Sequence, residues 1–464
     1  MLQELPQPPA CSGQNAATGQ HAAHDATRRV AAFLRQARVQ AEGDLRIQGL
    51  RGPGIERRSR LNIVVLNAGS SSQKAALYRL GGPPPSDPPS PIWQAEAQWH
   101  ERASVRLGVR TAGGATLDHT YPAGSRDELV ANLLPTLWDG PTRVVAGPHE
   151  IAVAGHRVVH GGPNYAESVI VTPRIEEDIR WLASFAPLHN PEDLAGIEAV
   201  KRVMPGVPQV AVFDTAYHAG LPAAATVYPG PYEWYERGIR RYGFHGISHR
   251  YCAERAAILL GRDLATLRLV TCHLGNGCSL AAIRGGRSVD TTMGFTPIEG
   301  LMMGSRSGSV DPGILTYLMR VEGATADQLD DTLNNRSGLL GVSGVSSDLR
   351  DVLAARKQGN VRAALAFDAY VHRLRRLLGA MLAVLGGADA LVFAGGVGEH
   401  SPDVRAGTCE AFAFMGLRLD PARNAASPDD AAISTADSSI DVVIVHTLED
   451  WMIARDCWRL VAAR

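Results

Sequence analysis

The chain has 464 residues, and its 46 lysines and arginines almost balance its 47 aspartates and glutamates, for a net charge of −1 at pH 7. Nothing in this balance indicates a nucleic acid or an anionic membrane as a partner, and we expect neither. No apolar run approaches the ~20 residues that a membrane span requires. The length allows two domains, and the six scattered cysteines form neither a disulfide framework nor a zinc pattern, so we expect a cytoplasmic protein.

The first 60 residues differ in composition from the rest of the chain. Glutamine, alanine, proline and glycine dominate, apolar residues are sparse, and arginines accumulate toward the end of the segment. We expect a disordered N-terminal extension over residues 1–60, with one short helix at 27–40, and exclude it from the fold. The alternatives are a start codon assigned too far upstream and a transit peptide, although Glu4 and Asp25 argue against the latter.

Residues 61–78 predict a β-hairpin. The apolar run 63–66 indicates a buried strand, a small polar turn follows, and the segment around Lys74 alternates again. The turn lacks the Gly-Lys-Ser/Thr ending of a P-loop, which would open a helix. It nevertheless offers backbone N–H groups, the hydroxyls of residues 70–72 and a lysine just beyond, and these groups bind phosphate.

The same design recurs at residues 269–283. An apolar strand enters the turn Gly275-Asn276-Gly277 and returns as an alternating strand. Asn-Gly hairpins are common, so either hairpin alone could be an ordinary turn. Two such hairpins, one in each half of the chain, favour two related lobes that face one nucleotide.

Strands alternate with helices along the rest of the chain, and three segments bear on the site. Residues 190–203 predict a helix with Asn190 as its N-cap. Residues 360–385 predict a long helix that ends at a glycine pair. The buried strand 390–394 then leads into a glycine-rich turn at 395–398, where a nucleotide can approach the backbone closely.

Seven motifs downstream of the first hairpin are rich in glycine, histidine, arginine or acidic residues. In chain order they are 156–162 (HRVVHGG), 213–218 (FDTAYH), 241–249 (RYGFHGISH), 303–308 (MGSRSG), 347–350 (SDLR), 395–399 (GGVGE) and 447–450 (TLED). Together, in this order and from about residue 61 to the C-terminus, they resemble the acetate kinase (acetokinase) family. That family belongs to the acetate and sugar kinase, heat-shock cognate and actin superfamily.

The resemblance implies an α/β protein with a two-lobed, actin-like ATPase fold, in which ribonuclease H-like domains are duplicated. It places the N-terminal lobe at residues 61–214, together with the C-terminal helix at 451–464. The C-terminal lobe, at 215–450, would carry the nucleotide site and a dimer interface. A homodimer is therefore expected.

The family's functional positions carry over onto matching residues of this chain. The catalytic residues would be Asp214, His245 and Arg306, and the metal-associated residues would be Asn67 and Glu449. The acyl substrate would contact Arg157, Val159, Leu188, Phe244 and Pro297. The nucleotide would contact Lys74, His273, Leu274, Gly275, Asn276, Gly277, Asp348, Leu349, Arg350, Gly396, Val397, Gly398, Glu399 and His400.

These residue types suit phosphoryl transfer to a carboxylate. Arginine forks match carboxylate and phosphate geometry, and we expect Arg157 and Arg306 in glycine-bounded loops after apolar strands. The resemblance assigns Arg157 to the carboxylate, and Arg306 with His245 to the transferring phosphoryl. Asp214 would act near the metal. Because a carboxylate nucleophile is already ionised at pH 7, positioning magnesium is an easier role for Asp214 than that of a base.

The implied activity is reversible transfer of the ATP γ-phosphoryl to acetate, giving acetyl phosphate and ADP, with Mg²⁺ or alternatively Mn²⁺ as the metal. A propionate or other short-chain acyl kinase is the near alternative, because one methylene changes selectivity by only ~1–3 kcal/mol. A non-catalytic actin-like protein would have no reason to keep Arg157, His245 and Arg306 together. A pyrophosphate-dependent variant stays open, because Leu349 and His400 lie in the adenosine region.

Overall fold

The computed structural model describes the chain from residue 60 almost to its C-terminus. The described residues are 60–69, 72–100, 104–122, 124–186 and 189–462, with the backbone alone at 99 and 100. The predicted extension over residues 1–60, apart from residue 60 itself, and the predicted substrate contact Leu188 therefore lie outside the described residues.

The strands of the described residues form an eight-stranded and a six-stranded sheet. In chain order they are β1 (Leu61–Ala68), β2 (Ser72–Leu80), β3 (Trp93–His100), β4 (Ser104–Thr111), β5 (Thr116–Pro122), β6 (Ile151–Val158), β7 (Val169–Ile170), β8 (Gln209–Phe213), β9 (Arg268–Leu274), β10 (Cys278–Arg284), β11 (Arg287–Thr291), β12 (Ala390–Ala394), β13 (Ala431–Ala432) and β14 (Asp441–Ile444).

Helices connect and cover these strands. In chain order they are α1 (Arg126–Leu133), α2 (Pro173–Leu182), α3 (Asn190–Val203), α4 (Ala223–Thr226), α5 (Tyr232–Glu236), α6 (Gly246–Leu260), α7 (Pro312–Val321), α8 (Ala326–Asn335), α9 (Gly338–Ser343), α10 (Leu349–Lys357), α11 (Val361–Leu385), α12 (Gly395–His400), α13 (Pro402–Glu410), α14 (Pro421–Ala426) and α15 (Glu449–Ala462).

The five central strands of the two sheets follow the same order. The first runs β5-β4-β3-β2-β1-β6-β8-β7, and the second runs β11-β10-β9-β12-β14-β13. In each sheet a central strand, β1 or β9, begins an antiparallel series on one side, while two later strands continue the other side in parallel. This repeated order confirms the predicted α/β fold class with duplicated ribonuclease H-like sheets.

Both predicted hairpins are present. Strands β1 and β2 pair with Asn67 opposite Lys74, and strands β9 and β10 pair with Cys272 opposite Leu280. The centre of β1, residues 63–65, is completely buried, as expected for a strand that is covered on both faces. Because β1, β6 and β8 run parallel, their carboxyl ends meet at one edge of the first sheet.

Both sheets lie in one compact unit, which comprises residues 57–227 and 241–464. A second unit includes Tyr228–Arg240, which contains α5. The lobe boundaries expected after residues 214 and 450 stay predictions.

The C-terminal and long helices agree closely with expectation. Helix α15 begins at Glu449, two residues before the predicted start, and packs against β1, β6 and α6. Helix α11 is capped by the Asn360 side chain and ends at Gly386, which adopts a left-handed conformation with φ 69°. Among the residues given above, no helix is both long and apolar enough to cross a membrane.

Three local predictions were wrong in detail. Asn190 is the first residue of α3 and not its cap, because its side chain is engaged elsewhere, bonding both the N–H and the C=O of His160 at 3.1 Å. Arg157 lies inside β6 and not in a loop, since the strand continues to Val158. Residues 395–398 form the first turn of α12 directly after β12, with no separate turn between them.

Buried histidines predict that the fold is labile to acid. Burial lowers the pKa of His156 to about 4 and that of His218 to about 4. An unfolded histidine titrates near 6.5, so the unfolded chain takes up protons first as the pH falls, and stability is lost between about pH 6.5 and pH 4. We expect the free energy of unfolding to fall by about 2 kcal/mol per histidine between about pH 7.5 and pH 5, measured by urea unfolding.

A single substitution isolates one histidine's share of this effect. Asp193 acts in the opposite direction, because burial raises its pKa to about 7 and its folded form therefore gains a proton before the unfolded form does. The variant His156→Asn lacks the titration of His156 but keeps that of Asp193. The difference between wild type and variant in the pH dependence of the free energy of unfolding therefore reports His156 alone. Equal pH dependence of the two proteins would contradict the assignment to His156.

Candidate active site

An acidic corner forms where β1 ends and α15 begins. The Asn67 side-chain amide donates from Nδ2 to Glu449 Oε2 at 3.2 Å and to Asp450 Oδ1 at 2.9 Å. Burial raises the pKa of Glu449, but Arg157 and other positive neighbours outweigh it, so the net shift is downward. Asn67 therefore holds two neighbouring carboxylates together at the edge of the first sheet, and Glu449 is kept ionised.

Arg157 ties this corner to Asp214. Its Nε and Nη2 donate to Asp214 Oδ2 at 3.0 and 2.5 Å, and its Nη1 donates to Ala68 O at 2.6 Å. These contacts use three of the five guanidinium N–H groups, so two remain for a ligand. Arg157 thus joins the ends of β1, β6 and β8 and orients the Asp214 carboxylate.

The two carboxylate oxygens of Asp214 differ in their hydrogen bonding. Asp214 is completely buried, and among the described residues its Oδ1 has no hydrogen-bond partner. Burial raises the pKa of Asp214, Arg157 opposes this shift, and the charge of Glu449 adds to it. A buried carboxylate oxygen without a donor is costly unless a ligand satisfies it, so Oδ1 indicates a place for a cation or a donor.

The backbone locks His245 to Asp214. His245 is a non-glycine residue in the left-handed region, with φ 57°, immediately before α6. The next residue, Gly246, donates its N–H to Asp214 O at 2.9 Å, and a Cβ on Gly246 would lie only 2.2 Å from that oxygen. Only glycine permits this approach, and the approach fixes the direction in which the imidazole leaves the chain.

Three segments converge on the turn of the second hairpin, Gly275-Asn276-Gly277 (the second glycine turn; the first is the turn between β1 and β2). A Cβ on Gly277 would lie 3.4 Å from His245 Cε1, 3.5 Å from His245 Nε2 and 3.5 Å from Arg306 Nη1. The imidazole rings of His245 and His273 are 4.2 Å apart between centroids. The turn therefore lies beside an imidazole and a guanidinium, and hydrogen-bond donors of these kinds bind anions.

Arg306 is held by a carbonyl and not by a carboxylate. Its Nη1 donates to Pro297 O at 3.3 Å, and no carboxylate of the described residues lies within ion-pair distance. Burial and the positive charge of Arg157 lower the pKa of Arg306. Two arginines that repel each other in a partly buried site are stabilised when an anion lies between them.

The predicted acyl pocket is apolar. Val159 and Phe244 are 3 % and 1 % exposed and belong to one buried cluster. The Val159 N–H donates to Asp193 Oδ2 at 2.8 Å, so Asp193 fixes the backbone of the pocket. The sequence did not identify Asp193 as a site residue, because it lies in the segment 190–203, which the sequence predicted only as a helix.

The predicted adenosine residues fall into two groups. In the first, Asp348 accepts the Arg350 N–H at 2.8 Å and caps α10, Leu349 is buried, and the Arg350 side chain is 89 % exposed. Gly304 links this segment to the second glycine turn. Its N–H donates to Asn276 O at 3.0 Å, and a Cβ added to Gly304 would lie only 2.8 Å from Ser347 O.

The second group is the first turn of α12. Gly396 and His400 are exposed and Val397 is half-buried, so these three can meet a ligand. Glu399 is engaged internally, because its carboxylate accepts the Gly395 N–H at 2.8 Å and bonds His446 Nδ1 at 2.7 Å. Glu399 would thus act on a nucleotide only through the shape of the turn.

The structure brings most of the predicted site residues together around the two glycine turns. Asn67, Arg157, Asp214, His245, His273, Arg306 and Glu449 interact with one another directly or through their charges. Lys74 is exposed on β2, opposite Asn67, and Leu274 is buried behind the turn. Among the described residues, no three His, Cys, Asp or Glu side chains could hold a metal ion by themselves.

Comparison with known proteins places the chain in a well-populated group. A model described as the acetokinase family matches residues 62–455. An acetate kinase from Gloeobacter violaceus is 60% identical over 402 residues, covering 86% of this chain and 99% of the relative. An acetate kinase from Cyanothece sp. is 58% identical over 402 residues, covering 86% of this chain and 98% of the relative.

Solved structures give the same picture. The chain in the crystal structure of Porphyromonas gingivalis acetate kinase is 39% identical, with a TM-score of 0.78. The match covers 86% of this chain and 100% of that chain. A propionate kinase from Francisella tularensis is 33% identical with a TM-score of 0.78, over 86% of this chain and 99% of that one.

Proposed function

The chain belongs to the acetokinase family, and from this membership and the geometry of its site we propose that it is an acetate kinase. It transfers the γ-phosphoryl of ATP reversibly to acetate and gives acetyl phosphate and ADP. The observation that carries the proposal is the convergence of His245 Nε2 and Arg306 Nη1 on Gly277. An actin-like protein that only binds nucleotide would not need these two groups at the turn.

The reaction needs charge neutralisation more than proton transfer. An acetate oxygen forms the new bond to the γ-phosphorus while the bond from phosphorus to the β–γ bridging oxygen breaks, and ADP leaves as an anion. Acetate is ionised at neutral pH, so no base has to remove a proton. Arg306 and His245 would donate to the equatorial oxygens of the transferring group, where the charge is spread in the transition state. Arg157 would hold the acetate carboxylate with its remaining N–H groups.

Magnesium fits the acidic corner. The unpartnered Asp214 Oδ1 and the ionised Glu449 supply hard oxygen donors, and Mg²⁺ commonly takes only one or two carboxylates, with phosphate oxygens and water completing the shell. Asp214 and Glu449 would therefore hold the ion, directly or through water, and Asn67 would orient Glu449. When bound, Mg²⁺ or Mn²⁺ supplies charge neutralisation at the phosphates. Arg157 keeps Asp214 in place for this role.

The nucleotide would lie across both glycine turns. Its phosphates would meet Lys74 and the backbone of residues 273–277, and its adenosine would lie between residues 348–350 and the exposed first turn of α12. The short link from Asn276 through Gly304 to the Asp348 segment supports one continuous site. A pyrophosphate donor would need only the phosphate part, so comparing donors tests the adenosine region.

An acyl hydroxamate assay tests the proposal directly. The purified chain with Mg-ATP, hydroxylamine and acetate should form acetohydroxamate, and a chelator should abolish the product. Acetate, propionate and butyrate should each be compared with ATP, GTP and pyrophosphate as donors. ATP binding without turnover of any carboxylate would favour a nucleotide sensor instead.

Val159 offers a test of acyl specificity. Shortening this buried side chain should enlarge the methyl site, so Val159→Ala should raise the ratio of kcat/KM for propionate to that for acetate by about 10-fold. The KM for ATP should stay unchanged, because Val159 is not among the residues predicted to contact the nucleotide. Val159→Ile, which fills the site further, should lower the ratio. An unchanged ratio in both variants would place the acyl pocket elsewhere.

We also propose that the protein is a homodimer and works in the cytoplasm. Helix α7 supports the dimer, because none of its residues is buried and a stripe of its apolar side chains, including Ile314 and Tyr317, is 49 % and 56 % exposed. Such a stripe is typical of an interface. The buried, unpaired cysteines of the described residues support a reducing compartment.

Charges on the α7 stripe should separate the subunits. Ile314→Glu combined with Tyr317→Glu should reduce the mass in solution from two chains to one, measured by size-exclusion chromatography with light scattering, because two desolvated carboxylates oppose association. Phe414→Glu is the matched control, since Phe414 is exposed but lies outside α7. Dissociation by the control, or a dimer that survives the double substitution, would move the interface away from α7.

A further inference from the structure

A line of buried hydrogen bonds runs from His245 away from the second glycine turn. Ser279 Oγ on β10 lies 2.9 Å from His245 Nδ1 and 2.8 Å from His249 Nε2. His249 Nδ1 in turn lies 2.7 Å from Thr271 Oγ1 on β9. His245 and His249 are four residues apart at the start of α6, so the helix places them on one face. The function proposed above uses only His245.

We propose that Ser279, His249 and Thr271 are positioning residues that hold neutral His245 in the tautomer with its proton on Nε2. The inference rests on the proposed function, because that function requires His245 to donate a hydrogen bond to a phosphoryl oxygen. The Nε2 edge of His245 faces Gly277, and Nε2 lies 3.5 Å from the position that a Cβ on Gly277 would occupy. Phosphoryl oxygens only accept hydrogen bonds, so an unprotonated Nε2 would repel them.

The donors and acceptors along the line agree with this direction. If the proton is on Nε2 of His245, its Nδ1 accepts, and the Ser279 hydroxyl must donate to it. The Ser279 oxygen then accepts from His249 Nε2–H, and His249 Nδ1 accepts from the Thr271 hydroxyl. Each of the three hydrogen bonds in the line then has one donor and one acceptor, with both histidines neutral. Each group in the line thus sets the proton position of its neighbour, and the donor that the phosphoryl group requires at His245 Nε2 sets the direction of the whole line.

Both histidines are neutral because of where they lie. Burial lowers the pKa of His245 well below its ordinary value, and His273, Arg157 and Arg306 add to the effect. Burial likewise lowers the pKa of His249, with smaller contributions from His218 and His273. Neutral imidazole has one donor and one acceptor nitrogen, so its neighbours decide which is which.

The neighbouring His218 shows the same arrangement with its direction fixed. His218 Nε2 lies 3.1 Å from Phe244 O, which can only accept, so Nε2 carries the proton. Its Nδ1 must then accept from the Ser288 hydroxyl at 2.8 Å. This fold thus already contains a buried serine that donates to a histidine Nδ1. That histidine, His218, bonds the carbonyl of Phe244, the residue before His245.

The tautomer can be read without turnover. The full-length protein labelled with ¹⁵N-histidine should give a neutral His245 whose Nε2 resonates as a protonated nitrogen and whose Nδ1 resonates as an unprotonated one, with His245→Gln identifying the signals. In Ser279→Ala this pattern should be lost. A proton on Nδ1 of His245 in the wild type would overturn the proposal whether or not the enzyme phosphorylates acetate.

Kinetics distinguish positioning from folding. Ser279→Ala should lower kcat by on the order of 10-fold, with the KM for acetate unchanged, and Ser279→Thr should restore it, because only the hydroxyl is needed. Ser288→Ala is the matched control, since it removes a buried serine–histidine bond that does not touch the His245 ring, and its kcat should stay near wild type. A wild-type kcat in Ser279→Ala, or an equal loss in the control, would overturn the proposal. If Ser279→Ala does not fold, the wild-type spectrum alone decides.

Discussion

Arg306→Ala should lower kcat by about 10²-fold or more and leave the KM for acetate within a small factor of wild type. Arg306 lies beside His245 at the second glycine turn, and no described carboxylate neutralises it, so its charge is available to an incoming phosphoryl group. Negative charge develops on that group in the transition state, and a preorganised cation stabilises it more strongly there than in the ground state. The loss should therefore appear in the chemical step.

Two further variants sharpen this test. Arg306→Lys keeps the charge but lacks the planar fork, and it should recover only part of the lost rate. Arg157→Ala should raise the KM for acetate as well, because a carboxylate clamp acts in the ground state too. It also removes the two hydrogen bonds that hold Asp214. If Arg306→Ala raised only the KM for acetate and left kcat intact, the division of labour between the two arginines would be wrong.

Asp214→Asn should lower kcat/KM by about 10²-fold or more and weaken the dependence on magnesium. The variant keeps the size of the side chain and an acceptor for Arg157, but it loses the charge beside the unpartnered Oδ1. A metal-holding carboxylate loses affinity for the ion when it becomes neutral, so the magnesium concentration for half-maximal rate should rise by about 10-fold or more.

The magnesium titration separates the two possible roles of Asp214. If Asp214 holds the metal, excess magnesium should recover part of the rate of Asp214→Asn. If Asp214 were a general base, the rate would stay low at every magnesium concentration, and the pH profile of the wild type would lose an ionisation in the variant. Thermal unfolding of both proteins checks that the loss is not one of folding.

The sequence predicted the parts of the fold that follow local patterns. The hairpins at residues 61–78 and 269–283 could be predicted because an apolar strand, a short polar turn and a second alternating strand leave a periodic signal. The paired register then follows, including Asn67 opposite Lys74. Helix α11 could likewise be predicted from its cap and its terminal glycines.

The contacts that define the site left no such signal. Arg157 and Asp214 are 57 residues apart, and Val159 and Asp193 are 34 apart, so their hydrogen bonds exist only after the strands and helices have packed. Asn190 resembles a helix cap in sequence, yet the fold uses its amide to fix the backbone of His160. Short polar side chains bond whatever backbone lies near them, and tertiary structure decides which backbone that is.

Phosphorus NMR of the reaction with ¹⁸O-labelled acetate tests the central claim most directly. If the site transfers the phosphoryl group to a carboxylate oxygen, acetyl phosphate should appear together with an equal amount of ADP. Its phosphorus should carry one ¹⁸O from acetate, seen as an isotope shift of the signal. Arg306→Ala should show the same product at a much lower rate. Release of ADP and inorganic phosphate without any acyl phosphate would contradict the account.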